Sequence, residues 1–185
     1  MKSNQWLKFW RSREYFLIKS KNFKIVDQHI SIKPKNLLDI GAGTAYESRQ
    51  FNKLYGTELY LLDGQFSEQV QKRYTQFGTT ESFGFYSDID DLKQFYISEG
   101  CTNFNLINCA DINIDSNLKF DLIYSFLSCG FHYPVETYRE LILNHSHDST
   151  VVILDLRKGQ EHHSVNIVNI LNRSEKYLTC EVKLV

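Results

Sequence analysis

Apolar residues recur along the chain in two rhythms. Between residues 4 and 30, Trp6, Phe9, Trp10, Phe16 and Leu17 fall at roughly helical spacing, which predicts one or two helices. Lys33-Pro34 ends that segment, because the residue before a proline avoids helical backbone. From residue 36 the rhythm changes to short, unbroken apolar runs. Residues 36–40, 58–62, 104–108, 120–125 and 150–154 read as strands, and 177–184 as a last one. The stretches 45–54, 66–76, 88–98, 135–144 and 161–172 between them read as helices. Thr44 is placed to cap the first of these, Gly56 to close it, and Gly100 to stop the helix over 88–98. Strands that are apolar throughout and alternate with helices imply parallel strands buried on both faces, in a three-layer, Rossmann-like α/β sheet. Thirty residues follow Asp155, enough for a helix and one clear strand. Either the run VNIVNIL is itself a strand or the sheet is one strand short.

Ligands of such a sheet sit beyond the carboxyl ends of its strands, at the switch point. Polar or glycine residues gather at four of those ends: Asp39, Gly41 and Gly43; Asp63; Asp111; and Ser125 through His132. Gly41 and Gly43 allow a tight turn and close approach of a ligand to bare backbone. A dinucleotide site also wants a small residue three positions on, and Tyr46 stands there. Asp63 follows about twenty residues later, where a carboxylate can accept hydrogen bonds from ribose hydroxyls.

On these residues the chain resembles class I S-adenosylmethionine (SAM)-dependent methyltransferases, over residues 36–158. The resemblance rests on LLDIGAGT, LYLLDG, NCADI, FDLIYSFLSCGFHYP and VVILDLRKG. It implies SAM as cofactor and an antiparallel C-terminal strand. The turn with Asp39, Gly41, Ala42 and Gly43 would pack on its methionyl part, with Ser125 near by. Asp63 and Gly64 would bind the ribose, and Asp111 and Ile112 would face the adenine. Enzymes that methylate exocyclic amines of DNA resemble one another by an Asn/Asp-Pro-Pro-aromatic run after the fourth strand; SFLSC stands there in this chain. YSFLSCGFHYPVETY followed by LDLRKG is similar to bacterial sugar O-methyltransferases, which implies a hydroxyl acceptor.

His132, just past the fourth strand, has an ordinary pKa suited to a general base near neutrality. Core packing or helix capping is the alternative role. Tyr133 and Arg157 are substrate-binding candidates, Arg157 as a bidentate holder of a phosphate or carboxylate. An ion pair is the competing role for Arg157. Asp155, His162 and His132 do not have the spacing of a metal signature, and no metal is expected. Aromatics between Tyr74 and Tyr86 are candidates for a lid or for core packing.

Composition adds two things. The net charge is −1 overall, yet residues 1–35 hold nine Lys or Arg against Glu14 and Asp27, a net of +7. We therefore expect one domain with a basic helical segment over 1–34 and an α/β core over 35–185. The basic arm suits an anionic group on a small-molecule acceptor, and nucleic acid is not favoured by the overall charge. Cys101, Cys109, Cys129 and Cys180 form no C-x-x-C, as expected of free thiols in a reducing, cytoplasmic setting. No stretch approaches the roughly 20 apolar residues of a membrane span, and the N-terminus lacks a signal peptide's apolar core. Trp6 and Trp10 mark a candidate interface for a second copy. Two rival functions stand beside the sugar reading: an RNA or nucleotide methyltransferase, and a methyltransferase-fold subunit without turnover.

Overall fold

The structure, a computed structural model, describes residues 12–64 and 88–185. Trp6, Phe9 and Trp10, the helix expected over 66–76 and the aromatics between Tyr74 and Tyr86 lie outside the described residues. The N-terminal helix, α1, runs Arg13–His29. Ser12 caps it by accepting from the Tyr15 N–H at 3.1 Å. It ends at Ile30, ahead of Pro34.

Seven strands follow: β1 (Asn36–Ile40), β2 (Glu58–Asp63), β3 (Phe104–Asn108), β4 (Leu122–Ser125), β5 (Val151–Arg157), β6 (Val165–Arg173) and β7 (Tyr177–Leu184). They form one sheet in the order β3-β2-β1-β4-β5-β7-β6. The first five are parallel neighbours, and β7 runs antiparallel to β5 and β6. Helices α2 (Tyr46–Tyr55), α3 (Ile89–Ser98) and α4 (Arg139–Asn144) connect them. The mostly parallel, three-layer sheet read from the sequence is the observed one. Its switch point falls between β1 and β4, where the strand order reverses.

Three local expectations need correction. Residues 161–172 do not form a helix; β6 occupies 165–173, so VNIVNIL is a strand and the sheet is complete. Thr44 does not cap α2. Ala45 is the residue at the cap, in left-handed backbone (φ 48°), and no side chain caps the helix. The Thr44 hydroxyl is instead 2.7 Å from the Tyr15 hydroxyl of α1. The helix expected over 135–144 is divided into a 3-10 turn, Val135–Thr137, and α4.

Alternate residues of the strands feed two cores. On one face Leu37, Leu59, Leu61, Tyr124 and Ile153 pack against Val26 of α1, Phe51 of α2 and Leu92 and Tyr96 of α3. On the other, Leu38, Ile40, Ile123 and Leu154 pack against Val135, Tyr138 and Ile142. The sheet therefore presents its carboxyl edge between two helical layers, and the polar residues gather there.

Candidate functional site

The turn after β1 is held by the neighbouring strand. Gly41 and Ala42 donate their N–H groups to the Leu62 carbonyl at 2.8 and 3.0 Å. The chain then bends through three left-handed residues, Gly41 (φ 80°), Gly43 (φ 54°) and Ala45 (φ 48°). A left-handed alanine costs about 1–2 kcal/mol. Ala45 completes a G-x-G-x-A turn, which the sequence reading overlooked by looking for the small residue at Tyr46. Tyr46 instead points at α1: its hydroxyl is 3.0 Å from that of Ser20, and its ring meets Phe16 edge-on.

The two glycines differ. A Cβ on Gly41 would lie 2.3 Å from the Ser128 Cβ, so the loop after β4 sits directly on this residue. Among the described residues, a Cβ on Gly43 would meet nothing within 4 Å, so the Cα of Gly43 borders open space. Across that opening stands Asp63, at the end of β2. One of its oxygens accepts the Gly43 N–H at 2.5 Å and the other the Gly64 N–H at 2.7 Å. Burial raises the Asp63 pKa, and these two amide donors oppose the rise. An ionised carboxylate has about four acceptor sites, and among the described residues these two donors fill two of them. Tyr96 of α3 donates to the Gly43 carbonyl at 2.5 Å and braces the turn from below. This set, a glycine turn with space on its Cα side and a carboxylate with acceptor sites to spare, fits a nucleoside with vicinal hydroxyls. Asp111 and Ile112 lie exposed in the turn after β3.

Asp39 is placed differently from Asp63. It is buried, and one carboxylate oxygen accepts from Ser48 Oγ at 2.7 Å and from the Tyr124 hydroxyl at 3.1 Å. Burial pushes its pKa up to about 7. Its carboxylate braces the turn from within. Ser125 is buried too, donating to the Ile40 carbonyl at 2.7 Å and accepting the Cys129 N–H at 2.8 Å. That pair of bonds stitches the turn after β1 to the loop after β4.

The loop after β4 is tightly wound. The Ser128 carbonyl accepts the N–H groups of Phe131, His132 and Tyr133 at 3.1, 2.9 and 3.0 Å. Gly130 lies against β5, where a Cβ would be 2.9 Å from the Asp155 carbonyl. His132 and Tyr133 are half-buried at its crest. Burial, then the positive charge of Arg157, lower the His132 pKa to about 4. Arg157, at the end of β5, holds its guanidinium 5.1 Å from the Phe131 ring. The structure thus gathers His132, Phe131 and Arg157 on one rim. Asp155 turns inward, accepting from Thr179 Oγ1 at 2.7 Å and the Leu127 N–H at 3.2 Å. His162 meets the Arg157 carbonyl at 3.0 Å. Among the described residues, no group of three or more His, Cys, Asp or Glu is arranged to hold a metal ion. No described helix is long and apolar enough to cross a membrane.

No sequence family and no curated protein matches the chain. Its fold, by contrast, is shared with many solved structures. The PH0226 protein of Pyrococcus horikoshii OT3 superposes with a TM-score of 0.63 at 12% identity, over 93% of this chain and 91% of that one. A methyltransferase from Pyrococcus furiosus gives 0.58 at 12% identity, over 89% and 81%. A SAM-dependent methyltransferase from Aquifex aeolicus gives 0.57 at 12% identity, over 88% of each chain. At these identities the likeness is one of fold: this chain is built on the Rossmann-like sheet that the two methyltransferases use.

Proposed function

We propose that this chain is a SAM-dependent methyltransferase that places a methyl group on a hydroxyl of a small polar acceptor, a sugar or sugar derivative. The observation that carries the cofactor half is the meeting of Gly43 and Asp63 at the carboxyl ends of two adjacent parallel strands. Gly41, Ala42 and Gly43 would take the methionyl side, Asp63 and Gly64 the ribose, and Asp111 and Ile112 the adenine. Asp39 and Ser125 would hold the turn in shape beneath them. SAM supplies an electrophilic methyl group when bound, and the protein's task is then mainly alignment.

The acceptor half rests on His132, Tyr133 and Arg157. With its pKa near 4, His132 is neutral at physiological pH, so it can accept a proton. So weak a base takes the hydroxyl proton only as the new C–O bond forms and the hydroxyl becomes acidic. Arg157 offers a guanidinium for an anionic group on the acceptor, as in a sugar nucleotide, and Tyr133, half-buried in the same loop as His132, would add a contact to it.

The test is transfer of labelled methyl from SAM to a panel of sugars, sugar nucleotides and RNA. We expect label on a sugar or sugar nucleotide. His132→Ala should lower kcat by roughly 10²-fold or more. The wild-type rate should be level above about pH 5 and fall below it, as His132 protonates. Label on RNA, with binding that weakens steeply in salt, would replace the acceptor reading. An undiminished rate in His132→Ala would remove the base.

A further inference from the structure

The N-terminal helix drives a cation into the interior at a place the site described above does not use. Lys19 of α1 has a side chain only 16% exposed, and its Nζ lies 3.1 Å from Glu47 Oε1 in the first turn of α2. Burial alone would lower the Lys19 pKa; Glu47, then Tyr15 and Asp39, override it and hold the ammonium charged. The position is the switch point. One turn before Lys19, Tyr15 reaches Thr44 in the turn after β1. The ring of Phe126, the residue that follows β4, lies 5.8 Å from the ammonium. Lys19 therefore hangs over the crevice between the carboxyl ends of β1 and β4, where sheets of this kind bind ligands.

The energetics of that placement are incomplete. A buried ion pair recovers its desolvation cost only if the remaining protons and lone pairs are also satisfied. Glu47 fills its share: Oε1 also accepts from Asn22 Nδ2 at 3.1 Å. An ammonium has three donors. Among the described residues, the ion pair with Glu47 takes one, and the rings of Tyr15 and Phe126 flank the rest. Among the described residues, no hydrogen-bond partner takes the other two donors.

We propose that Lys19 binds the α-carboxylate at the amino-acid end of the cofactor. This rests on the SAM reading given above. The surrounding acids Asp39 and Asp155 are both raised to about 7 by burial, and both are occupied by hydroxyl or amide donors. Lys19 thus supplies a cation to the crevice, and α1 becomes part of the cofactor site.

Two ligands separate this assignment from the reading beneath it. S-adenosylhomocysteine carries the amino-acid end; 5′-methylthioadenosine shares the nucleoside and sulfur and lacks it. We expect Lys19→Met to weaken the first by about tenfold or more and the second by less than about twofold, and Lys19→Arg to restore most of the loss. Tyr15→Phe, which loosens α1 without removing the charge, should affect both ligands alike. Equal losses on both ligands in Lys19→Met, or no loss on the first, overturn the assignment alone. A wild-type protein that binds neither ligand overturns the SAM reading, and the assignment with it.

Discussion

The two faces of the sheet are made by the same strands and do different work. On the face covered by α4, successive inward residues are apolar: Leu38, Ile40, Ile123, Leu154 and Leu156. On the face covered by α1 and α2, Asp39 sits between Leu38 and Ile40, and Asp155 between Leu154 and Leu156. Glu47, Ser48 and Thr179 are buried with them. Hydrophobic burial is nondirectional and tolerates this division. Buried carboxylates need donors in fixed places. The face that holds these carboxylates is therefore the more geometrically demanding half of the carboxyl edge.

The largest break in this comparison should come from the apolar face. Leu154→Ala removes a fully buried side chain and should cost about 2–5 kcal/mol in denaturant unfolding, while leaving the affinity of the folded protein for SAM unchanged. A comparable fall in affinity would mean that the two faces are not separable.

The next effect concerns pH. Asp39 is raised to about 7 against an ordinary value near 3.8, so the folded protein holds its proton more tightly than the unfolded chain. That contribution is full below about pH 4 and is lost as pH rises through 7. Asp39→Asn keeps an oxygen for Ser48 and Tyr124 and cannot ionise. It should melt higher than wild type at pH 8, with the gap closing at pH 5. A gap that widens on acidification would show that the ionised form is the stabilised one.

The smallest effect is at Ala45. Replacing this left-handed residue by glycine relieves strain of roughly 1 kcal/mol, less the entropy glycine loses on folding. Ala45→Gly should melt slightly higher than wild type with ligand affinity retained. A lower melting temperature would mean that the methyl group's packing outweighs the strain.

Much of the fold was legible because the first five strands are short apolar runs, and such runs have few alternatives in a chain of helical connections. The β6 strand was misread for a physical reason. Ile167 and Ile170, like Val168 and Leu171, recur every three residues, close to a helical period. The pairing with β7 explains this: register shifts between Ile167 and Asn169 and between Ile170 and Asn172 add a residue at each step, so a strand of period two acquires a spacing of three. In the site, Gly43 and Asp63 stood out by spacing as separate candidates; the hydrogen bond that joins them shows only in the fold. Lys19 did not, because nothing local ties position 19 to position 47; the contact exists only once α1 docks on α2. The inward turn of Asp39 was hidden too, since a residue at the end of a strand reads as rim until its partners Ser48 and Tyr124 are in place.

The central claim is that the open glycine backbone and Asp63 form a SAM site. Its most direct test is calorimetric titration of the purified protein with SAM, S-adenosylhomocysteine and NAD. The account predicts binding of the first two and not of NAD, with both lost in a folded Asp63→Ala variant. Affinity unchanged in that variant, or no binding of either adenosyl ligand by the wild type, would contradict it.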